Sequence, residues 1–211
     1  MIRIVIADDH TIVREGLKQL LDAAGDLQIV AEAADGHQAL EHARTLEFDV
    51  LLLDMSMPGK SGIELIKQVH AAKPRLRMLV LSMHEEHQYA VRAIRAGASG
   101  YLTKESASAQ LVAAIRKVAA GGAFISAEVA QHLALSAMPG AQGMPHEALS
   151  DREFQVFQLI AGGKSVSDIA ERLNLSVKTV STHKANVLHK MGLSTNADLV
   201  RYALSHRLVN D

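Results

Sequence analysis

Short apolar runs in this sequence end on residues that can do chemistry. Asp8 and Asp9 follow the run Ile2–Ala7, Asp54 closes Val50–Asp54 within VLLLDMSMPGKSG, Ser82 closes residues 78–82, and Lys104 follows Gly100–Thr103. A carboxylate at the end of a strand apolar enough to be buried on both faces is costly unless something uses it. Three carboxylates brought together repel one another and raise their own pKa values. A hard dication resolves that conflict, and Mg2+ takes one or two carboxylates, several waters and a phosphate oxygen. Lys104 can then offer a point positive charge, and Ser82 a hydrogen bond, to an incoming phosphoryl group. Asp54 stands as a nucleophile able to form an acyl phosphate. Each residue alone has a plainer reading. A lone Asp after a strand is usually a turn residue or helix cap, Asp8-Asp9 could cap a helix starting near Thr11, and Lys104 could be a solvated lysine. It is the set, at the same end of different strands and in this order, that points to a site.

The elements that must position these residues alternate. Residues 2–7, 28–33, 50–54, 78–82 and 100–103 read as strands. Residues 11–24, 36–45, 61–72, 86–96 and 108–120 have helical spacing. Five such strand–helix repeats predict a doubly wound parallel sheet covered on both faces, with right-handed crossovers. Ligands of such a sheet sit outside the carboxyl ends of the strands, where the strand order reverses. A further helix is expected over 124–138, with Ser126 as its cap.

Beyond it, PGAQGMP (139–145) combines helix breakers and small residues and reads as a linker. Everything after it is helical: a helix opened by the capping box Ser150/Glu153 and running to about Ala161, then 167–173, 177–191 and 196–205. The expected organisation is an α/β domain over 1–122, an extra helix and linker over 123–148, and a smaller four-helix domain over 149–211.

With 211 residues and no cysteine, the chain is long enough for two small domains and has neither a disulfide framework nor a thiolate metal site. No apolar stretch approaches the roughly 20 residues that a spanning helix needs, so a cytoplasmic protein with no membrane partner is expected. The net charge of −1 conceals a local imbalance. Between Arg172 and Ala197 there is no acidic residue, while Arg172, Lys178, Lys184 and Lys190 are basic.

That basic stretch reads as helix, turn, helix, with Ser176 capping the second helix. On a helical wheel Val180, Val187 and Met191 form one stripe, Leu188 beside it, and face the core. Lys178, Ser181, Thr182, Ala185 and His189 face outward. Lys178, Ser181 and Thr182 can bond base edges and Ala185 can touch a thymine methyl, if this helix enters a major groove. Lys184, Arg172 and Lys190 suit phosphates, which position a protein without reading sequence. A lysine on a helix is more often just a solvated face.

Residues 1 to about 120 resemble a response-regulator receiver domain, on the segments IADDH, LLLDMSMPGKSG, LVLSMHEE and GYLTKE. The resemblance implies that Asp54 is the phosphoacceptor. Asp8, Asp9, Asp54 and the backbone carbonyl of Ser56 would hold one Mg2+, and Ser82 and Lys104 would bind the phosphoryl oxygens. Tyr101 falls at the aromatic switch position, although strands favour aromatics in any case. Ser56 and His84 fall at positions that tune phosphoryl lifetime. Glu105 departs from the proline that many receivers carry after the lysine. His84 and His87 could share a helix face, but they lack the HExxH spacing of metalloproteases.

Residues 149–204 are similar along their length to the LuxR-type domain, and the whole chain resembles a NarL/FixJ-type response regulator. That implies a partner histidine kinase, phosphoryl transfer and slow hydrolysis catalysed by the receiver on its own Asp54, and no other enzyme activity. It also implies double-stranded DNA with paired half-sites, a homodimer when active with residues 196–205 in its interface, and RNA polymerase as a candidate partner. Ser181 stands where the family often has a basic residue, and His183 matches the TVxxH pattern. Two rivals stay open. An Mg2+-dependent phosphatase would need a second carboxylate near Asp54, and Ser56 stands where Asp-x-Asp would put it. A phosphorylation-independent dimerisation module would leave the acidic set and Lys104 unused.

Overall fold

The computed structural model describes residues 1–57, 62–82, 87–136, 144–206 and 208. His84, the residues Pro58 and Gly59, and most of the expected linker lie outside the described residues. The chain divides into two compact units, Met1–Leu133 and residues 134 onward.

In the first unit, β1 (Ile2–Ala7), β2 (Leu27–Ala33), β3 (Val50–Asp54), β4 (Arg77–Ser82) and β5 (Gly100–Thr103) form one sheet. Its order is β2-β1-β3-β4-β5 and every neighbouring pair is parallel. The winding therefore reverses beside β1, which leaves a crevice between the carboxyl ends of β1 and β3. Helices α1 (Thr11–Asp22), α2 (Gly36–Thr45), α3 (Gly62–Ala72), α4 (His87–Arg95) and α5 (Lys104–Ala119) connect the strands or follow the last. Strand β3 shows why its run is continuously apolar. Leu51 and Leu53 pack with α2, α3 and α4 on one face, while Val50 and Leu52 pack with α1 and α5 on the other.

Helix α5 starts at Lys104, four residues before the sequence pattern places it, because Thr103 caps it by accepting from the Ser106 N–H. Helix α6 (Ala127–Ser136) starts three residues later than expected. Phe124 is spent on the sheet edge instead. Its N–H donates to the Ser99 carbonyl at 3.1 Å, and its own carbonyl accepts from Tyr101 N at 2.8 Å. This approach needs Gly100, where a Cβ would lie 2.8 Å from Leu79 Cδ1 and 3.0 Å from the Phe124 carbonyl oxygen. Ser126 does cap α6, accepting from Val129 N at 3.2 Å.

The second unit opens with a 3-10 turn, Pro145–Ala148, so Pro145 starts structure rather than ending a linker. Four helices follow: α7 (Asp151–Ala161), α8 (Val166–Leu173), α9 (Val177–Met191) and α10 (Asn196–Ser205). Capping boxes begin α7, α8 and α10. Asn174 ends α8 in the left-handed conformation, at φ 54°, and lets the chain turn sharply into α9. Phe154, Phe157, Ile169, Val180, Val187 and Leu199 fill the core. No helix among the described residues is long and apolar enough to cross a membrane.

Candidate functional site

Strand register brings the polar strand ends to one edge. Ala7 pairs with Leu53, Asp54 with Leu81, and Ser82 with Thr103. Asp8, Asp54, Ser82 and Lys104 therefore arrive within two residues of one another in height, although 96 positions separate Asp8 from Lys104 in sequence. Asp8 and Asp54 are fully buried, and Ser82 is 1% exposed. The Lys104 ammonium lies 2.8 Å from Asp8 Oδ2 and 3.0 Å from Asp54 Oδ2. The first contact is an aligned hydrogen bond, whereas the second is an ion pair without such alignment. Ser56 N donates to the other Asp54 oxygen, Oδ1, at 3.2 Å.

Burial pushes the Asp54 carboxyl above the usual aspartate range. The Asp8 charge adds to that push, while Lys104 and the Ser56 N–H pull the other way without cancelling it. Burial also opposes the charge on Lys104, but Asp8 and Asp54 together outweigh it and hold the ammonium above the ordinary lysine value. Three carboxylates and one ammonium leave the pocket with excess negative charge.

The donor set suits a dication. Asp9 Oδ1 and Asp54 Oδ2 are buried oxygens with no aligned hydrogen-bond donor. Potential ligand atoms of Asp8, Asp9, His10 and Asp54 all lie within 4.8 Å of one another. Hard carboxylate oxygens are the ligands that Mg2+ takes.

Two residues that the sequence did not single out also belong to this pocket. Arg14 Nη1 donates to the backbone carbonyl of Asp8 at 2.6 Å, and its Nε donates to Glu32 Oε2 at 3.1 Å. The loop that carries the acidic pair is thereby tied to the end of β2. His10 turns its ring toward Asp8 and Asp9. The only signal for either was proximity in sequence to the Asp pair.

Tyr101 is buried, at 8% exposure, in the core beneath α4. It stands opposite Val80, two residues before Ser82, on the same face of the sheet. It also lines a cavity of about 470 Å³ shared with Ala90, Ser106, Phe124 and Glu128.

The second candidate surface is on α9. Val180, Val187 and Met191 are buried, and Lys178, Ser181, Thr182 and Ala185 are exposed. The Thr182 hydroxyl donates to the Lys178 carbonyl at 3.0 Å, so outward it offers an acceptor. Val177, at the amino end of α9, is 50% exposed, an apolar side chain that the wheel left unassigned. Arg172 is exposed and Lys184 half-buried. The Lys190 ammonium lies 2.7 Å from Glu153 Oε2, an ion pair that competes with the expected phosphate contact. That same oxygen accepts from Ser150 N at 2.7 Å, which ties the carboxyl end of α9 to the start of α7.

Known proteins share both halves. The family model for the response regulator receiver domain matches residues 4–116, and that for bacterial regulatory proteins of the luxR family matches 147–203. Response regulator GacA of Pseudomonas viridiflava is 37% identical over 211 residues, covering 100% of this chain and 99% of the relative. Response regulator UvrY of Escherichia coli K12 is 36% identical, covering 100% and 97%. The solved structure of RcsB from Salmonella enterica serovar Typhimurium, bound to promoter rprA in the presence of phosphomimetic BeF3−, is 29% identical with a TM-score of 0.58, covering 96% of this chain and 98% of that one.

Proposed function

The chain belongs to the NarL/FixJ-type response regulators, a receiver joined to a LuxR-type helix-turn-helix domain, and on that premise we propose that phosphorylation of Asp54 switches its binding to DNA. The observation that carries this reading is Asp54 itself: fully buried, raised in pKa, and held at 3.0 Å by a lysine that also serves Asp8. A carboxylate so poorly compensated is poised to react rather than to stabilise.

In the proposed reaction an Asp54 oxygen attacks the phosphorus of a phosphohistidine on a partner kinase. A P–O bond forms, the P–N bond breaks, and the imidazole leaves with a proton. Asp8, Asp9, Asp54 and the Ser56 carbonyl would hold Mg2+, which when bound supplies neutralising charge for the phosphoryl oxygens. Lys104, already within reach of Asp54, follows the new negative charge, and the Ser82 hydroxyl donates to a phosphoryl oxygen. Slow hydrolysis of the acyl phosphate resets the pocket, with Ser56 and His84 as the flanking residues that set its lifetime.

Phosphorylation adds about one net negative charge to a site already short of positive charge. The relay is Ser82 moving toward the phosphoryl group and Tyr101 following on the neighbouring strand; the cavity beside Tyr101 supports room for two ring positions. The readout is α9 in the major groove, with Lys178, Ser181, Thr182 and Ala185 on base edges and Lys184 and Arg172 on phosphates. The RcsB–promoter structure supports DNA as the partner, and paired half-sites with a homodimer follow from two-fold docking. Incubation with acetyl phosphate and Mg2+ tests the first step. One phosphoryl group, labile to hydroxylamine, should appear on the intact protein and be missing from Asp54→Asn. Equal labelling of that variant would refute the assignment.

A further inference from the structure

We propose that His10 is a ligand in the acidic pocket, so that the pocket also takes a first-row transition dication with affinity for imidazole, of the Co2+, Ni2+ or Zn2+ class. The inference rests on the reading that Asp8, Asp9 and Asp54 hold a dication.

His10 occupies the N-cap of α1 in extended conformation, φ −92° and ψ 107°, yet its side chain makes no capping hydrogen bond. N-cap positions favour Ser, Thr, Asp and Asn because those side chains satisfy the first free N–H groups of the helix. The His10 ring turns back instead. Its Nδ1 lies 2.9 Å from Asp9 Oδ1 and 3.3 Å from Asp8 Oδ1. Ligands on adjacent vertices of an octahedral ion with bonds of ~2.1 Å stand about 3.0 Å apart, so this spacing is that of shared coordination. The backbone helps to hold it there, since the His10 N–H donates to Asp8 Oδ1 at 2.8 Å.

The competing arrangement is a simple hydrogen bond, the His10 Nδ1–H donating to Asp8 Oδ1 at 3.3 Å. Such a bond fills one oxygen and does nothing for Asp54, whose Oδ2 is buried with no aligned donor. An ion shared by all four residues satisfies the histidine and the three carboxylates together. Mixed nitrogen and oxygen donors also change the selectivity of the pocket. Three carboxylates alone favour Mg2+, Ca2+ or Mn2+, whereas an added imidazole favours the later first-row ions along the Irving–Williams order. The choice of ion in the receiver then becomes a property of His10, separable from the capacity to bind Mg2+.

The test uses the purified full-length chain, titrated separately with Co2+ and with Mg2+, alongside His10→Gln and Asp9→Asn. Thermal melts in chelator confirm that each variant is folded. We expect one Co2+ per chain that excess Mg2+ displaces, with its visible absorption altered in His10→Gln. Co2+ affinity should fall at least about tenfold in His10→Gln, since even outer partners of metal ligands are worth that much, while Mg2+ affinity holds. Unchanged Co2+ affinity and spectrum in His10→Gln, with both ions lost in Asp9→Asn, would overturn the His10 assignment and leave the carboxylate site standing. An equal loss of both ions in His10→Gln would also overturn it, by making His10 merely structural. If Asp9→Asn alters neither ion, the cation reading of the pocket fails first, and the proposal with it.

Discussion

Lys104 and Lys190 each hold a buried carboxylate, and the two carboxylates respond in opposite directions. Glu153 sits at 4% exposure, and burial works against its charge. Even so its pKa is held below the usual glutamate range, because Lys190 and Ser150 together supply donors to it. Asp54 also has a lysine, at 3.0 Å, but shares it with Asp8 and feels the Asp8 charge as well. Its pKa rises. The same pair of residue types therefore builds a strut in one domain and a reactive centre in the other. What decides is whether the buried charge has its full set of donors.

The largest expected effect breaks the pair at Asp54. Asp54→Asn should abolish phosphoryl incorporation completely and, in chelator, raise the melting temperature of the receiver by removing a charge that folding has to bury. Calorimetry checks the second half, and a lowered melting temperature would mean that Lys104 already compensates Asp54. Glu153→Gln should do the reverse, lowering the stability of the C-terminal unit by about 1.5–3 kcal/mol in denaturant titration, the range for hydrogen bonds to charged groups. The pH dependence has a definite sign. Because the Glu153 pKa is depressed on folding, its contribution is complete above the unfolded glutamate value, about 4.3. It is lost as pH falls from there through the folded value, and Glu153→Gln should remove that segment of the acid-unfolding curve.

On the DNA face the contacts are exposed and local, so single changes should cost less and remain separable. Lys178→Ala should weaken binding by about 1–3 kcal/mol and relax preference at one base position. Lys184→Ala should weaken all sequences alike and flatten the salt slope by about 0.9, as expected for one lost phosphate contact. Binding isotherms at several salt concentrations distinguish the two. The smallest effect is at the turn between α8 and α9, where Asn174→Ala should cost about 1–2 kcal/mol from its left-handed backbone, while Asn174→Gly should be tolerated.

The same contrast explains what the sequence made legible. Buried parallel strands are unbroken apolar runs, so β3 and β5 are readable to the residue, and with them the strand ends bearing Asp54 and Lys104. Helix α9 is equally readable, since its buried stripe of Val180, Val187 and Met191 recurs at helical spacing. Helix α5 reads short because its first turn, Lys104-Glu105-Ser106, is polar, and its cap Thr103 looks like the end of a strand. The 3-10 turn at Pro145 reads as a breaker, although its His146 is buried with Nδ1 2.8 Å from the Tyr202 hydroxyl. Partners far apart in sequence leave no local pattern. Arg14 with Glu32, and Lys190 with Glu153 across 37 positions, could be found only in three dimensions.

The central claim is that charge chemistry at Asp54 controls what α9 binds. Selection of genomic DNA fragments by the purified chain, with and without Mg2+ plus beryllofluoride, tests it most directly. The account predicts that the same few fragments enrich much more strongly with beryllofluoride, and that Asp54→Asn shows no such gain. Equal enrichment in both conditions would contradict it and leave the receiver a phosphorylation-independent module.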